Sequence, residues 1–166
     1  MNSNIGWPLA SNMIRRSSNS NTFGMVRRNG DGSVRPHQGW DFYATEGTSL
    51  YAIAAGKVVD VKLGEQSQLG AYGRFVLQEF TLDDTTYYAF YAHLLSFTVS
   101  IGDELTKGQQ FGYTGNTGNA SSMKGIDQHL HFEIRTKRIV GLGLGGRISP
   151  LKIFGTLPLN NAVAGP

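Results

Sequence analysis

The sequence predicts a mainly β domain of antiparallel sheets with little helix, and three observations carry that prediction. Runs rich in Val, Tyr, Phe and Thr recur with apolar residues at every second position, the period of a half-buried strand. The 166 residues contain 22 glycines but only 5 prolines, without a strict period, which reads as tight turns between short strands and not as collagen or disorder. No window of adequate length carries a 3.6-residue apolar repeat.

Taken in order, residues 1–36 are rich in Asn, Ser, Arg and Gly and read as an irregular leading segment, with turns at Asn29-Gly30 and Asp31-Gly32. From Trp40 the β pattern begins: SLYAIAAGKVVDVKL, YGRFVLQEFTL and TTYYAFYAHLLSFTV, the last two joined by a hairpin turn at Asp83-Asp84. GQQFGYTG is a shorter run, the Gly/Asn/Ser-rich NTGNASSMKGID a loop, and HLHFEIRT a further strand. Residues 37–136 therefore form the expected core. Residues 137–166 read as an irregular C-terminal segment whose last few residues are loose. The length fits one domain, 1–166.

Alternation assigns faces. In HLHFEIR, His129, His131, Glu133 and Arg135 share one face and Leu130, Phe132 and Ile134 the core face. In TTYYAFYAHLL, Tyr87, Ala89, Tyr91 and His93 fall together, opposite Tyr88, Phe90, Ala92 and Leu94. Both strands can then offer histidine to a common groove.

Composition narrows the chemistry. The formal charge is +3, with Arg15, Arg16, Arg27, Arg28 and Arg35 early in the chain, but no nucleic-acid motif accompanies them. No segment approaches the ~20 apolar residues of a membrane-spanning helix. There is no cysteine, so disulfides and thiolate ligands are excluded and a transition metal needs His, Asp or Glu. MNSNIGWPLASNMIRRSSNS lacks a basic start followed by an apolar run, so no ordinary secretory signal is expected.

All four histidines stand in patterned places: His37 with Asp41 in HQGWD, His93 in YAHL, and His129 and His131 in HLH. Gly39 interrupts the first span and extended residues follow it, so it is a turn into a strand and not a helical HExxH site. HLH alone fits a metal site, an acid–base pair or two polar residues on the wet side of a sheet. Together, two imidazoles and one carboxylate suit tetrahedral zinc with a fourth position for water, and the remaining histidines suit proton transfer.

The ordered set HQGWD, YAHL and HLHFE, with GWP at Gly6, FGMVR at Phe23, IGDELTKGQQFGYTGNTGN at Ile101 and RISPLKIF ending at Phe154, resembles the lysostaphin/LytM-type zinc endopeptidases. The resemblance implies the duplicated-hybrid-motif β architecture of that family and one zinc ion per chain. It implies His37, Asp41 and His131 as ligands, with His93 and His129 as catalytic histidines beside the metal-bound water. The implied reaction is attack of that water on an amide in the cross-links or stem peptides of bacterial peptidoglycan. Glu133, on the face of His131, is a candidate carboxylate behind a ligand, or else a surface ion-pair partner. The loop ASSMKGIDQ departs from the family pattern, so cleavage preference does not carry over.

The expected context is a monomer acting in the periplasm or cell wall of a target cell, exported by a non-standard route as an interbacterial toxin or phage lysin. Peptidoglycan peptides are its substrate and an immunity or inhibitor protein a partner; no nucleic acid or membrane insertion is expected. The rival readings are a non-catalytic activator of other wall hydrolases, disfavoured because all five positions are filled, and a phosphotransfer or carrier module, suggested by the turn from Gly102 to Gln109.

Overall fold

The computed structural model describes residues 2–166 and is mainly β, as expected. The strands are β1 (Ser11–Asn12), β2 (Gly24–Arg28), β3 (Val34–His37), β4 (Trp40–Tyr43), β5 (Ser49–Tyr51), β6 (Gly56–Lys62) and β7 (Arg74–Leu82). They continue with β8 (Thr85–Phe97), β9 (Glu104–Leu105), β10 (Gln110–Thr114), β11 (His129–Arg135), β12 (Arg147–Ile148) and β13 (Val163–Ala164). A single helical turn, α1 (Leu151–Phe154), stops at Gly155, whose φ of 73° supplies the left-handed residue that ends helices.

The main sheet runs β12-β11-β8-β7-β6-β9, with β4 also on β11 and β10 bridging β8 and β5. All its pairings are antiparallel. The β7–β8 hairpin turns at Asp83 and Asp84, both at positive φ (48° and 61°), as a two-residue turn matched to strand twist requires. β11 is central and buried on both faces. Leu130, Phe132 and Ile134 enter the main core with Trp40, Phe42 and Tyr91, while the opposite face carries His129, His131, Glu133 and Arg135.

The leading segment is more ordered than its composition predicts. β2 and β3 form a hairpin whose tip includes the Asn29 to Gly32 turns, and β1 pairs with β13. Trp7 stacks on Phe154 with ring centroids 4.3 Å apart, so the two ends of the chain close one side of the core. The expected loose tail is likewise corrected, since Gly165 N–H donates to the Ala10 carbonyl and the Val163 carbonyl accepts from buried Asn12. Short apolar anchors set among polar residues hold both segments, and no periodicity announces them.

Candidate metal centre

Asp41 and His131 face each other directly across the β4–β11 pairing, so their side chains leave the same face of the sheet. His37 reaches the same point from the end of β3, through the turn Gln38-Gly39. That turn lies against β11: a Cβ on Gly39 would stand 2.1 Å from the Phe132 carbonyl oxygen. Candidate ligand atoms of His37, Asp41 and His131 all lie within 4.8 Å of one another, and all three residues are buried.

Hydrogen bonds fix each ring. His37 Nδ1 donates to the Thr22 carbonyl (2.8 Å), which turns its Nε2 toward Asp41 Oδ1 at 3.1 Å. Burial pushes the His37 imidazole below its ordinary value despite Asp41, which favours the neutral ring; with Nδ1–H on Thr22, the neutral form turns an Nε2 lone pair to a carboxylate oxygen. Two buried acceptors facing one another at this distance are repulsive unless a cation sits with them. Two imidazoles and a carboxylate without thiolate are donors that suit a borderline divalent metal, and the residues fit such an ion.

His131 donates Nδ1 to Asp41 Oδ1 and Nε2 to Glu133 Oε1, both at 2.9 Å. Burial opposes its charge, but the two carboxylates outweigh burial and hold it up to about 9. Metal at Nδ1 would displace that proton and leave Nε2–H on Glu133, the usual orientation of a ligating histidine by a carboxylate behind it. Glu133 is wholly buried, and Arg135 and Arg147 donate to its other oxygen at 2.7 and 2.8 Å. Burial alone would raise the Glu133 carboxyl, yet His131 and the two arginines bring it to about 2. Glu133 is thus a buried carboxylate behind His131 and not a surface ion-pair partner. Asp41 lies well below the ordinary carboxylate range for similar reasons, burial being outweighed by His37 and His131. Its Oδ2 accepts from Arg27 at 2.9 Å.

His93 and His129 stand beside the cluster, their ring centroids 5.1 Å apart. His93 Nδ1 donates to the Thr117 carbonyl and His129 Nδ1 to the Asp127 carbonyl, each at 2.8 Å. Burial lowers both, His93 to about 3, and with Nδ1 on a backbone carbonyl each ring directs its Nε2 toward the cluster. The route of His93 to this place departs from simple alternation. On β8, Ala92 and Phe90 lie opposite His131 and Glu133, whereas Ala89 and Tyr91 belong to the main core. Regular alternation would send His93 into the core with Tyr91. It reaches the histidine face because its backbone is left-handed, with φ at 60°, at an irregularity where its N–H bonds to the Tyr72 carbonyl.

All five positions implied by the resemblance are thus brought together. Thr22, Arg27, Tyr72, Thr117 and Arg147 complete the surroundings and were not singled out by the sequence. Arg27 within FGMVR, Thr117 within IGDELTKGQQFGYTGNTGN and Arg147 within RISPLKIF lay in stretches carrying the resemblance, whereas Thr22 did not.

Fold and site together define the class, a mainly β domain with a buried cluster of His37, Asp41 and His131 that could hold a metal ion. More particularly, residues 35–141 match the model of Peptidase family M23, and the chain belongs to that family, of the lysostaphin/LytM type. It is 33% identical over 100 residues to the glycyl-glycine endopeptidase ALE-1 of Staphylococcus capitis, covering 60% of this chain and 25% of that protein. It is 34% identical over 101 residues to the peptidoglycan DD-endopeptidase ShyA of Vibrio cholerae, covering 61% of this chain and 20% of that one. The structure of a zinc-containing peptidase from Vibrio cholerae aligns with a TM-score of 0.62 at 26% identity, over 86% of this chain and 37% of the other. The chain spans about a quarter or less of the length of such curated relatives.

Proposed function

We propose that residues 2–166 form a single zinc-dependent endopeptidase domain, with one zinc ion per chain, that hydrolyses peptide bonds of bacterial peptidoglycan in the wall or periplasm. The observation that carries this reading is the buried His37, Asp41 and His131 cluster with two further buried imidazoles, His93 and His129, beside it. The names of the relatives support the substrate, since both a glycyl-glycine endopeptidase and a peptidoglycan DD-endopeptidase are among them.

When bound, the metal would lower the pKa of a water molecule toward about 7 and polarise the scissile carbonyl. The protein contributes the rest. Thr22 and Glu133 orient His37 and His131, and Arg27 holds the spare oxygen of Asp41. With Nδ1 committed to backbone carbonyls, His93 and His129 each direct Nε2 into the groove. One would accept the proton of the attacking water and pass it to the leaving amine; the other, as an imidazolium carrying a proton drawn from solvent at Nε2, would stabilise charge developing on the carbonyl oxygen.

Digestion of purified peptidoglycan with and without a chelator, with new peptide ends read by mass spectrometry, tests the reading. Chelator-sensitive appearance of new amino termini is expected. Cleavage indifferent to chelator, or none after zinc is restored, would overturn it.

A further inference from the structure

The metal cluster and its histidines leave one part of the groove unused. Its cavity, about 260 Å³, is walled on the side of the β2–β3 hairpin by Arg15, Arg27 and Arg35, and the lone carboxylate lining it is Asp41. Arg27 and Arg35 are direct cross-strand partners on this two-stranded hairpin. Like charges in that position destabilise a pair of strands.

The neighbouring carboxylates do not resolve this repulsion. Asp127 is occupied by Arg15 and Arg16, at 3.2 and 2.5 Å. Asp41 already serves His37, His131 and Arg27 and is the carboxylate of the candidate metal site. Arg35 has no side-chain hydrogen bond or ion pair among the described residues, and it is exposed beside Pro36 and His37 at the groove. Of the cross-strand pair, Arg27 has Asp41 as its counter-charge and Arg35 has none among the described residues; a free guanidinium facing a groove suits a planar anion, and carboxylate is the anion that peptides carry.

We propose that Arg27 and Arg35 form a carboxylate-binding subsite beside the His37/Asp41/His131 cluster, and that the peptide cut by this domain bears a free carboxylate near its scissile bond. Of the two wall chemistries open to the site, this selects an acidic D-Ala–diaminopimelate cross-link over an uncharged glycine bridge. The inference rests on the peptidase reading above for its substrate, but the subsite has its own readout. Arg35 supplies the free charge, while Arg27 is anchored by its bonds to Ser20 and Asp41 and sets where the carboxylate lies.

The test uses zinc-loaded protein and three soluble probes: a diaminopimelate-bridged stem-peptide dimer with free carboxylates, the same dimer with those carboxylates amidated, and pentaglycine. The acid dimer should exceed the amidated one in kcat/KM by about 10- to 100-fold, mostly through KM, as a charge-assisted contact implies. Arg35→Gln should bring that ratio toward one, and Arg35→Lys should restore part of it. Arg28→Gln, on the same hairpin but bonded to the Gly32 carbonyl, should leave the ratio as in the parent. Equal rates on both dimers, preference for pentaglycine, or a preference that survives Arg35→Gln would overturn the subsite.

Calorimetric binding of the acid and amidated peptides to metal-free protein separates the two readings. Tighter binding of the acid peptide, lost in Arg35→Gln, upholds the subsite even where no bond is cut, and then the peptidase reading is what fails. Cleavage without any carboxylate preference in rate or binding upholds the peptidase and removes the subsite.

Discussion

At His93 a single dihedral angle decides what a side chain is for. A non-glycine residue at φ 60° costs on the order of 1 kcal/mol or more, and the cost is borne where it turns an imidazole out of the core and onto the metal-facing side of the sheet. His93→Ala should therefore keep stoichiometric metal, measured by elemental analysis, while kcat falls by about 10²- to 10⁴-fold. His131→Ala should lose the metal outright, because a histidine and a carboxylate alone bind it poorly. Glu133→Gln belongs between these two. It should weaken metal binding by roughly 10- to 100-fold. It also leaves Arg135 and Arg147 buried beside a neutral amide, at a cost of about 3–5 kcal/mol in stability. An unchanged melting temperature with parental metal affinity would show that Glu133 neither orients His131 nor neutralises the arginines.

Among the elements, β11 is where fold and site coincide. β4 pairs with its first half and β12 with its end, while β8 lies along its other edge. Asp41 meets His131 because of the β4–β11 register, and a one-residue slip would send every site residue to the core face. Gly39 protects that register, since no side chain fits between it and the Phe132 backbone. Gly39→Ala should accordingly force β4 away from β11, lowering stability by about 1–3 kcal/mol and metal affinity together. Loss of stability with full metal binding would separate the turn from the site. The loop before β11, which departs from the family pattern, is held rather than free. Asp127 pairs with Arg15 and Arg16 through its side chain and orients His129 through its carbonyl, and Ala44 N–H donates to the Gln128 carbonyl.

Across the whole molecule, the two ends of the chain are part of the closed core. Removing residues 161–166 would delete β13 and one acceptor of the buried Asn12 amide. A melting temperature lower by several degrees is expected, on the order of 2–4 °C per kcal/mol lost. The titrating groups give the metal-free protein a bounded pH range. Glu133 is brought down to about 2, so its contribution is present above the ordinary carboxylate value of about 4.3 and is lost as pH falls through 2. His131 has the opposite sign: held up to about 9, its contribution is complete below about 6.5 and fades as pH rises through 9. Because His93, brought down to about 3, costs stability as pH falls below about 6.5, thermal melts of metal-free protein should show highest stability near pH 6.5. A maximum above pH 9 would contradict the charge assignment of His131.

The sequence by itself determined the fold class, the hairpin turn at Asp83-Asp84, the core face of β11 and the identities of all five residues gathered at the site. Those features are local: two-residue alternation, turn chemistry and the order of short motifs are written along the chain. Only the tertiary structure decided how His93 reaches the cluster, because its left-handed backbone answers to contacts with Tyr72 and Thr117 and not to any period. It also decided which residues stand behind the ligands. Thr22, Arg27 and Arg147 come from the segments that composition reads as irregular, and they meet His37, Asp41 and Glu133 through long-range packing. A hydrogen bond between residues far apart leaves no mark on the spacing of either one, which is why the candidate ligands were legible and their supports were not.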